Sequence, residues 1–261
     1  KTVTAGNPFL DPYEADTYDL SFEWYFAEES LLSLAVFYKD IGSFVQTIRA
    51  TGNFSDNPFG LPDSYAIAQC ETSIGAFDPN DPTQVADCLS NWGFNLPTNT
   101  PGGDLKGVEI SYQQPFTFLP GVFSDFGVIL NYTYVDSEVQ YLNTAGELAA
   151  EETLTGLSKR SANATLYYDN GTFSARVSAA YRDEYLTTVP GRNSNDVEGT
   201  AETLNIDFAS SWSITDALEL SLEALNLTDE FEDQWVDSVG NRASYYHHTG
   251  RQYFLGARYK F

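Results

Sequence analysis

Apolar and polar residues alternate in nine separate stretches of this chain. Over residues 18–26, Tyr18, Leu20, Phe22, Trp24 and Phe26 fall on one side, while Asp19, Ser21 and Glu23 fall on the other. A period of two marks a β-strand with one oily face and one wet face. The pattern recurs over residues 32–39, 108–112, 126–134, 161–168, 173–181, 204–212, 218–224 and 252–261. In the last stretch Tyr253, Leu255, Ala257, Tyr259 and Phe261 share the apolar side, and Gln252, Gly256, Arg258 and Lys260 lie between them.

No position on the apolar side of any stretch is charged, whereas the opposite side carries Asp19, Glu23, Lys39, Glu109, Arg176, Asp207, Glu219, Glu223, Arg258 and Lys260. A charge near the middle of a bilayer costs a barrel about 2–4 kcal/mol, so the asymmetry suits lipid on the apolar side. A soluble β-sandwich also alternates, with its apolar side turned inward. The connections separate the two cases. Those at 27–30, 169–172 and 214–217 are tight, and the one at 119–125 is slightly longer. Between them lie an insertion over 49–105 and loops near 136–160, 182–203 and 226–250. Short turns on one rim and long loops on the other belong to outer-membrane barrels. Tyrosines near the strand ends, such as Tyr38, Tyr112 and Tyr168, suit the aromatic girdles at the two interfaces. The predicted fold is all-β, an antiparallel transmembrane β-barrel with long extracellular loops and short periplasmic turns.

Composition narrows the function. Thirteen Lys and Arg against 37 Asp and Glu give a net charge of -24, which excludes a phosphate-binding surface for nucleic acid. Aromatics at 15% are too many for a disordered acidic chain. The longest nearly unbroken apolar run, residues 31–38, is far short of the roughly 20 residues of a spanning helix. Cys70 and Cys88 share one irregular Pro-, Asp- and Asn-rich stretch without metal-site spacing. They read as a disulfide formed outside the cytoplasm, the alternative being two free thiols.

No catalytic constellation stands out, so no enzyme, cofactor or metal is expected. His247 and His248 are adjacent and would point to opposite faces of a strand, which suits solvated residues better than chelators. The acidic stretches 78–82 and 229–237 lack a calcium-loop spacing. Five Asn-x-Ser/Thr triplets, beginning with Asn53, read as ordinary composition. The long loops say more, because rigid scaffolds carry binding on loops. The insertion holds Tyr65, Phe77, Trp92 and Phe94, and the last outer loop holds Phe231, Trp235, Tyr245 and Tyr246. Trp235, Tyr245, Trp92 and Tyr65 are the expected ligand contacts, with Cys70–Cys88 bracing the insertion. For the insertion, a miniature core of its own aromatics is an equal alternative.

These residues also suggest a family. The stretch "GNPFLDPYEADTYDLSFEWYF" (residues 6–26) resembles the N-P-x-L-x-P segment and Y-D-L-S-x-E-W-Y strand of TonB-dependent outer-membrane receptors. "SLAVFYKDIGSFV", "LKGVEISYQQPF", "NYTYVDS", "LNLTDE" and the aromatic C-terminal strand resemble later strands of that family in the expected order. The resemblance implies a 22-stranded barrel with a plug, of which residues 1–261 would be the last nine strands and 1–17 the end of an extracellular loop. It further implies residence in the bacterial outer membrane, with lipid, plug and the rest of the barrel as partners. A TonB complex would engage an N-terminal part absent here. The function implied is uptake of a bulky small molecule, with "DPYEADTYDLSFEWYF" leaning towards oligosaccharides and a siderophore or cobalamin as alternatives. The C-terminal strand residues would recruit the assembly machinery. The rival expectation is a small stand-alone barrel, an adhesin or outer-membrane enzyme, with a tenth strand near residues 1–10.

Overall fold

The structure is a computed structural model that describes residues 1–73, 77–143, 146–192 and 195–261. Parts of the long connections, residues 74–76, 144–145 and 193–194, lie outside the described residues. The strands run in order β1 (Thr2–Thr4), β2 (Ala15–Ala27), β3 (Ser30–Gly52), β4 (Trp92–Pro115), β5 (Phe126–Leu142), β6 (Leu148–Glu152), β7 (Arg160–Asp169) and β8 (Phe173–Arg182). They continue as β9 (Tyr185–Thr188), β10 (Glu198–Thr200), β11 (Thr203–Ser213), β12 (Leu218–Leu225), β13 (Glu232–Val236), β14 (Arg242–His247) and β15 (Gln252–Tyr259). Two helices, α1 (Ser64–Ser73) and α2 (Pro82–Leu89), lie between β3 and β4. The chain forms two compact units. One comprises Lys1–Ala15, Ile41–Gly103 and Val139–Glu151, the other Asp16–Asp40, Asp104–Glu138 and Glu152–Phe261.

The second unit is built on a sheet in the order β2-β3-β4-β5-β7-β8-β11-β12-β15. These are the nine strands that alternation predicts. From β5 onward neighbouring strands pair antiparallel, and the register carries the alternation across the sheet. Val128, Leu166, Val177, Phe208, Ala224 and Tyr253 stand opposite one another from strand to strand as one apolar row. One residue further along β5, the row Ile129, Thr165, Ser178 and Asp207 turns polar, because a shift of one residue changes the face. In the C-terminal strand Tyr253, Leu255, Ala257 and Tyr259 oppose Ala224, Leu222, Leu220 and Leu218. The four side chains of the C-terminal strand are exposed, Leu255 at 83%, which fits a face that a bilayer covers rather than a core. Among the described residues the order ends at β2 and β15.

Turn chemistry fixes the tight connections. Between β7 and β8 the Asp169 carboxylate accepts the Gly171 N–H at 2.8 Å, and the Asn170 side-chain oxygen accepts the N–H groups of Thr172 and Phe173. Gly171 sits at φ 80°, where a side chain is strained. Between β12 and its predecessor the Thr215 hydroxyl oxygen accepts from Ala217 and Leu218.

The first unit has a core of its own: Phe54, Ala66, Cys70, Cys88, Leu89, Trp92 and Phe94. Its α2 starts at Asp81, whose carboxylate accepts the Thr83 N–H at 2.9 Å, followed by Pro82 at the first helical position. That hydrogen bond, with others from Gln84, holds the Asp81 carboxyl below its ordinary range. The three residues of β1 pair in parallel with Gly93–Asn95 of β4. This is the only strand within residues 1–10, so the tenth wall strand required by the stand-alone barrel is not among the described residues.

The insertion is narrower than the alternation suggests. Strand β3 runs on to Gly52 and β4 begins at Trp92, so the part outside these strands covers residues 53–91 rather than 49–105. Pro97, Pro101, Gly102 and Gly103 read as loop punctuation, because proline cannot donate to a ladder and glycine weakens a strand. Here they lie inside β4 all the same.

Replacing Val177 on the apolar row with Arg is expected to cost about 2–4 kcal/mol in a bilayer, against under about 1 kcal/mol for Ser178→Arg on the opposite face. Urea midpoints of the full barrel refolded into phospholipid vesicles measure both. Equal losses would mean that the two faces meet similar surroundings.

Candidate functional site

Four short strands of the second unit form a separate antiparallel sheet in the order β14-β13-β10-β9. Its centre is the pair Gly199 and Trp235, which stand directly opposite. The indole lies over the glycine so closely that a Cβ on residue 199 would come within 2.5 Å of a ring carbon. Glycine is therefore required there by its neighbour. Beside it, buried Glu198 accepts the Arg192 backbone N–H at 2.7 Å and its guanidinium Nε–H at 2.9 Å. The Arg192 hydrogen bonds hold the Glu198 carboxyl below its ordinary range despite the opposing effect of burial. Asp196 accepts the N–H groups of Val197 and Ser238 and the Ser238 hydroxyl, so the segments before β10 and after β13 are tied together.

Two cavities border this sheet. The first, about 550 Å³, is lined by Trp235, Tyr185, Val197, Leu157, Ser238 and the charged side chains of Glu152, Lys159, Arg160, Asp183 and Glu184. The second, about 350 Å³, is lined by Tyr185 again, with Thr200, Asn205, Asn226, Phe231, His247, Arg182, Glu230 and Glu232. Both fall in the size range of small-molecule sites. Their cations are already engaged. Lys159 pairs with Asp136 at 3.0 Å and Arg160 with Asp183 at 3.7 Å. Arg182 donates to the Ser158 hydroxyl and the Gly156 carbonyl, both at 2.7 Å, and lies 3.8 Å from the centre of the Tyr185 ring.

The four expected ligand contacts divide between the units. Trp235 lines the first cavity. Tyr245, on β14, is 51% exposed, stacks on His247 and lines neither cavity. In the first unit Trp92 is only 4% exposed, donates its indole N–H to the Cys88 carbonyl at 2.7 Å and packs edge-on against Phe54. Its ring is largely consumed by the core, the alternative that the sequence left open. Tyr65 is 65% exposed on α1 and, with Phe54, Leu61 and an edge of Trp92, lines a third cavity of about 710 Å³. Cys70 and Cys88 form the disulfide, joining α1 to α2 inside the core. Of the polar-face residues, Asp207 accepts the Asn226 N–H at 2.8 Å and thereby secures the turn after β12.

Tyr185, Thr200 and Gly199 escape a search by alternation because β9 and β10 are four and three residues long. The β-branched run at 187–189 after Tyr185 and Leu186 is the one available signal. Lys1 was also missed. Its ammonium donates to the carbonyls of Asp87, Cys88 and Ser90, closing the C-terminal end of α2, where a cation is favoured.

Residues 1–227 match the family described as TonB dependent receptor-like, beta-barrel. The chain belongs to that family. The receptor-like barrels are outer-membrane proteins of Gram-negative bacteria, and this portion of one is placed there too. No curated protein matches the chain. Among solved structures it resembles the siderophore receptor PiuA of Acinetobacter baumannii, with TM-score 0.59 and 17% identity over 99% of this chain and 30% of that one. It resembles the ferric enterobactin receptor PfeA of Pseudomonas aeruginosa with TM-score 0.57 and 14% identity, over 100% of this chain and 33% of that one. For the ferric citrate transporter FecA the values are 0.55 and 12%, over 94% and 31%. The chain thus spans about a third of the length of these receptor barrels, and at such identities the likeness is one of fold.

Replacing both Cys70 and Cys88 with Ser is expected to cost the first unit about 2–5 kcal/mol. Limited proteolysis should then cut within residues 53–91, and unchanged resistance would show that the aromatic core suffices alone. Glu198 should make the small sheet acid-sensitive. Its carboxyl is lowered in the folded state, so its stabilisation is full above the ordinary carboxylate range and is lost as pH falls through the depressed value. Amide exchange of β9 and β10 should accelerate on acidification in the parent. In Glu198→Gln it should be faster already at neutral pH and respond less to acid.

Proposed function

We propose that this chain is the C-terminal part of the barrel of an outer-membrane receptor that imports a bulky ligand with energy delivered through TonB. The family match over residues 1–227 carries the reading. A wall with one continuous apolar face and one polar face supports it, since a transport lumen needs the second and lipid the first. In this reading the whole receptor closes a 22-stranded barrel around a plug, and strands outside this chain cover the edges of β2 and β15. Residues 53–91 and the small sheet lie on the extracellular side and take part in ligand capture. Trp235, and in the first unit Tyr65, offer ring surface; Tyr245 serves at a more exposed position. The function is binding and transport rather than catalysis.

The names of the structural neighbours put ferric siderophores first among ligands to assay: enterobactin and ferric citrate appear among them. An oligosaccharide finds no support in those comparisons. It is retained as a second reading on one observation, the aromatic and hydrogen-bonding character of cavities whose cations are already engaged.

Uptake into cells carrying the full receptor tests the proposal. Radiolabelled ferric enterobactin, ferric citrate and neutral oligosaccharides are offered to cells with and without its gene. At least one ligand is expected to enter only with the gene present, and an uncoupler that collapses the proton-motive force should stop it. Receptor-dependent entry that persists in the uncoupled cells would remove the TonB-coupled reading.

A further inference from the structure

Three of the tight connections on the rim of short turns present polar residues to water: Glu28 and Glu29, Asp169 and Asn170, Thr215 and Asp216. The fourth does not. Between β4 and β5, residues 116–125 expose Phe118, Val122 and Phe123 at 65%, 62% and 59%, with Leu119 beside them. Large apolar side chains concentrated in one exposed turn mark a surface that something covers. The turn is well held. Phe116 donates its backbone N–H to the Phe126 carbonyl at 2.7 Å, and Leu119 donates to the Phe116 carbonyl at 2.8 Å. The Ser124 hydroxyl donates to the Gly121 carbonyl at 2.7 Å, and the Tyr168 hydroxyl of β7 donates to the Asp125 carboxylate at 3.3 Å. The last of these ties the turn to the wall.

The wall identifies what covers it. Phe126 opposes Tyr168 two residues before the pair Val128 and Leu166, and so lies on the same apolar side. Ring centres run from Phe123 to Phe126 at 6.5 Å, from Phe126 to Tyr168 at 4.9 Å and from Tyr168 to Phe173 at 6.1 Å. On the other flank Phe118 packs edge-on against Phe116 at 5.9 Å. The rings of the turn therefore continue the apolar face of the wall past the strand ends, and the surface that meets that face is lipid. Charge narrows the kind of contact. No Lys or Arg occurs between Lys106 and Lys159. The hairpin thus has no cation to attract anionic headgroups, and burial of apolar surface must carry the association.

We propose that residues 118–123 form an interfacial wedge, with Phe118, Leu119, Val122 and Phe123 seated in the periplasmic leaflet where phospholipid headgroups meet acyl chains. The inference rests on the receptor reading only for which rim faces the periplasm. It differs from an aromatic girdle, whose rings stand on the strands, because these side chains leave the wall and lie on the membrane. Gly121, at φ 63° directly after Pro120, lets the chain reverse there. The wedge fixes the height of the hairpin in the bilayer. Raising it would return four apolar side chains to water, and sinking it would carry the Asp125 carboxylate into hydrocarbon.

The test uses the full receptor reconstituted in phosphatidylcholine vesicles. Cys70 and Cys88 are paired, so within this chain an introduced cysteine is the one free thiol; any elsewhere in the receptor is replaced by serine. Phe118→Cys, Val122→Cys and Phe123→Cys each take a nitroxide label, with Asp216→Cys in a polar turn as the control. Collisions with oxygen, which concentrates in lipid, and with a water-soluble nickel chelate report the depth of each label. The labels at 118, 122 and 123 should read about 5–10 Å inside the lipid surface, and the label at 216 should read in water. A second arm asks whether the native side chains hold the turn there. With the label at 123, Phe118→Ser combined with Val122→Ser should shift it outward to where the nickel chelate reaches it; both positions are exposed, and circular dichroism checks that the barrel is retained. Labels as open to nickel as the one at 216, or shielded from both reagents as by a plug or a protein partner, overturn the proposal. So does a depth that survives the double substitution, or one reached only after phosphatidylglycerol is added. The depths are read without ligand or TonB, so uptake that proves independent of the proton-motive force removes the transport reading and leaves the wedge standing.

Discussion

Hydrocarbon offers a backbone amide no hydrogen-bond partner, and the wall of this protein is organised around that single constraint. A helix satisfies its amides within itself; a strand can do so only through its neighbours. Each wall strand must therefore be paired along the length that lipid covers, and the ladders from β5 to β15 run in register over that length. Pairing in turn fixes which side chains share a face. The apolar row from Val128 to Tyr253 is a consequence of the ladder as much as of composition, since a slip of one residue would put Asp207 where Phe208 stands. The tight turns serve the same end. Asp169 and Asn170 bind the amides of the reversal between β7 and β8, so the register is set where the strand turns back.

Strand length shows where the constraint stops. A tilted strand crosses a bilayer in roughly 9–11 residues. β7 and β8, at 10 residues each, are that length, whereas β3 and β4 have 23 and 24. The surplus lies beyond any lipid, and there a different stabilisation takes over. Many of the wall's apolar side chains, among them Leu166, Val177 and Leu255, remain exposed, while the first unit buries Phe54, Trp92 and Phe94 around a disulfide and closes α2 with Lys1. Its two short helices, of 10 and 8 residues, are below the length at which helices persist alone. The cross-link and the aromatic core compensate.

This division explains what could be read from the sequence. All nine wall strands were legible, because lipid on one side and water on the other impose a period of two. The extensions of β3 beyond residue 39 and of β4 before residue 108 were not legible, because outside lipid nothing enforces the alternation. Proline and glycine within β4 then looked like loop. The disulfide was open to composition and spacing, yet its place inside a helical core was not, since α1 has no clear amphipathic pattern. Trp235 was legible as a large aromatic in an outer loop. Its partners Gly199, Thr200 and Tyr185 were not, because a strand of three or four residues is too short to display a period and their association depends on contacts between distant segments.

Freedom from the lipid constraint is also what allows those short strands to keep unpaired polar groups. In the wall, an unsatisfied polar group facing hydrocarbon would be removed by the same energetics that keep charges off the apolar face. In the small sheet the Trp235 N–H and the Thr200 hydroxyl can remain unpaired because the surrounding contacts bear the strain: Glu198 with Arg192, Asp196 with Ser238, and the indole seated on Gly199. Each such group costs the free protein about 1–3 kcal/mol. Both groups weaken the small sheet on its own, and the Glu198–Arg192 hydrogen bonds beside them help to stabilise it.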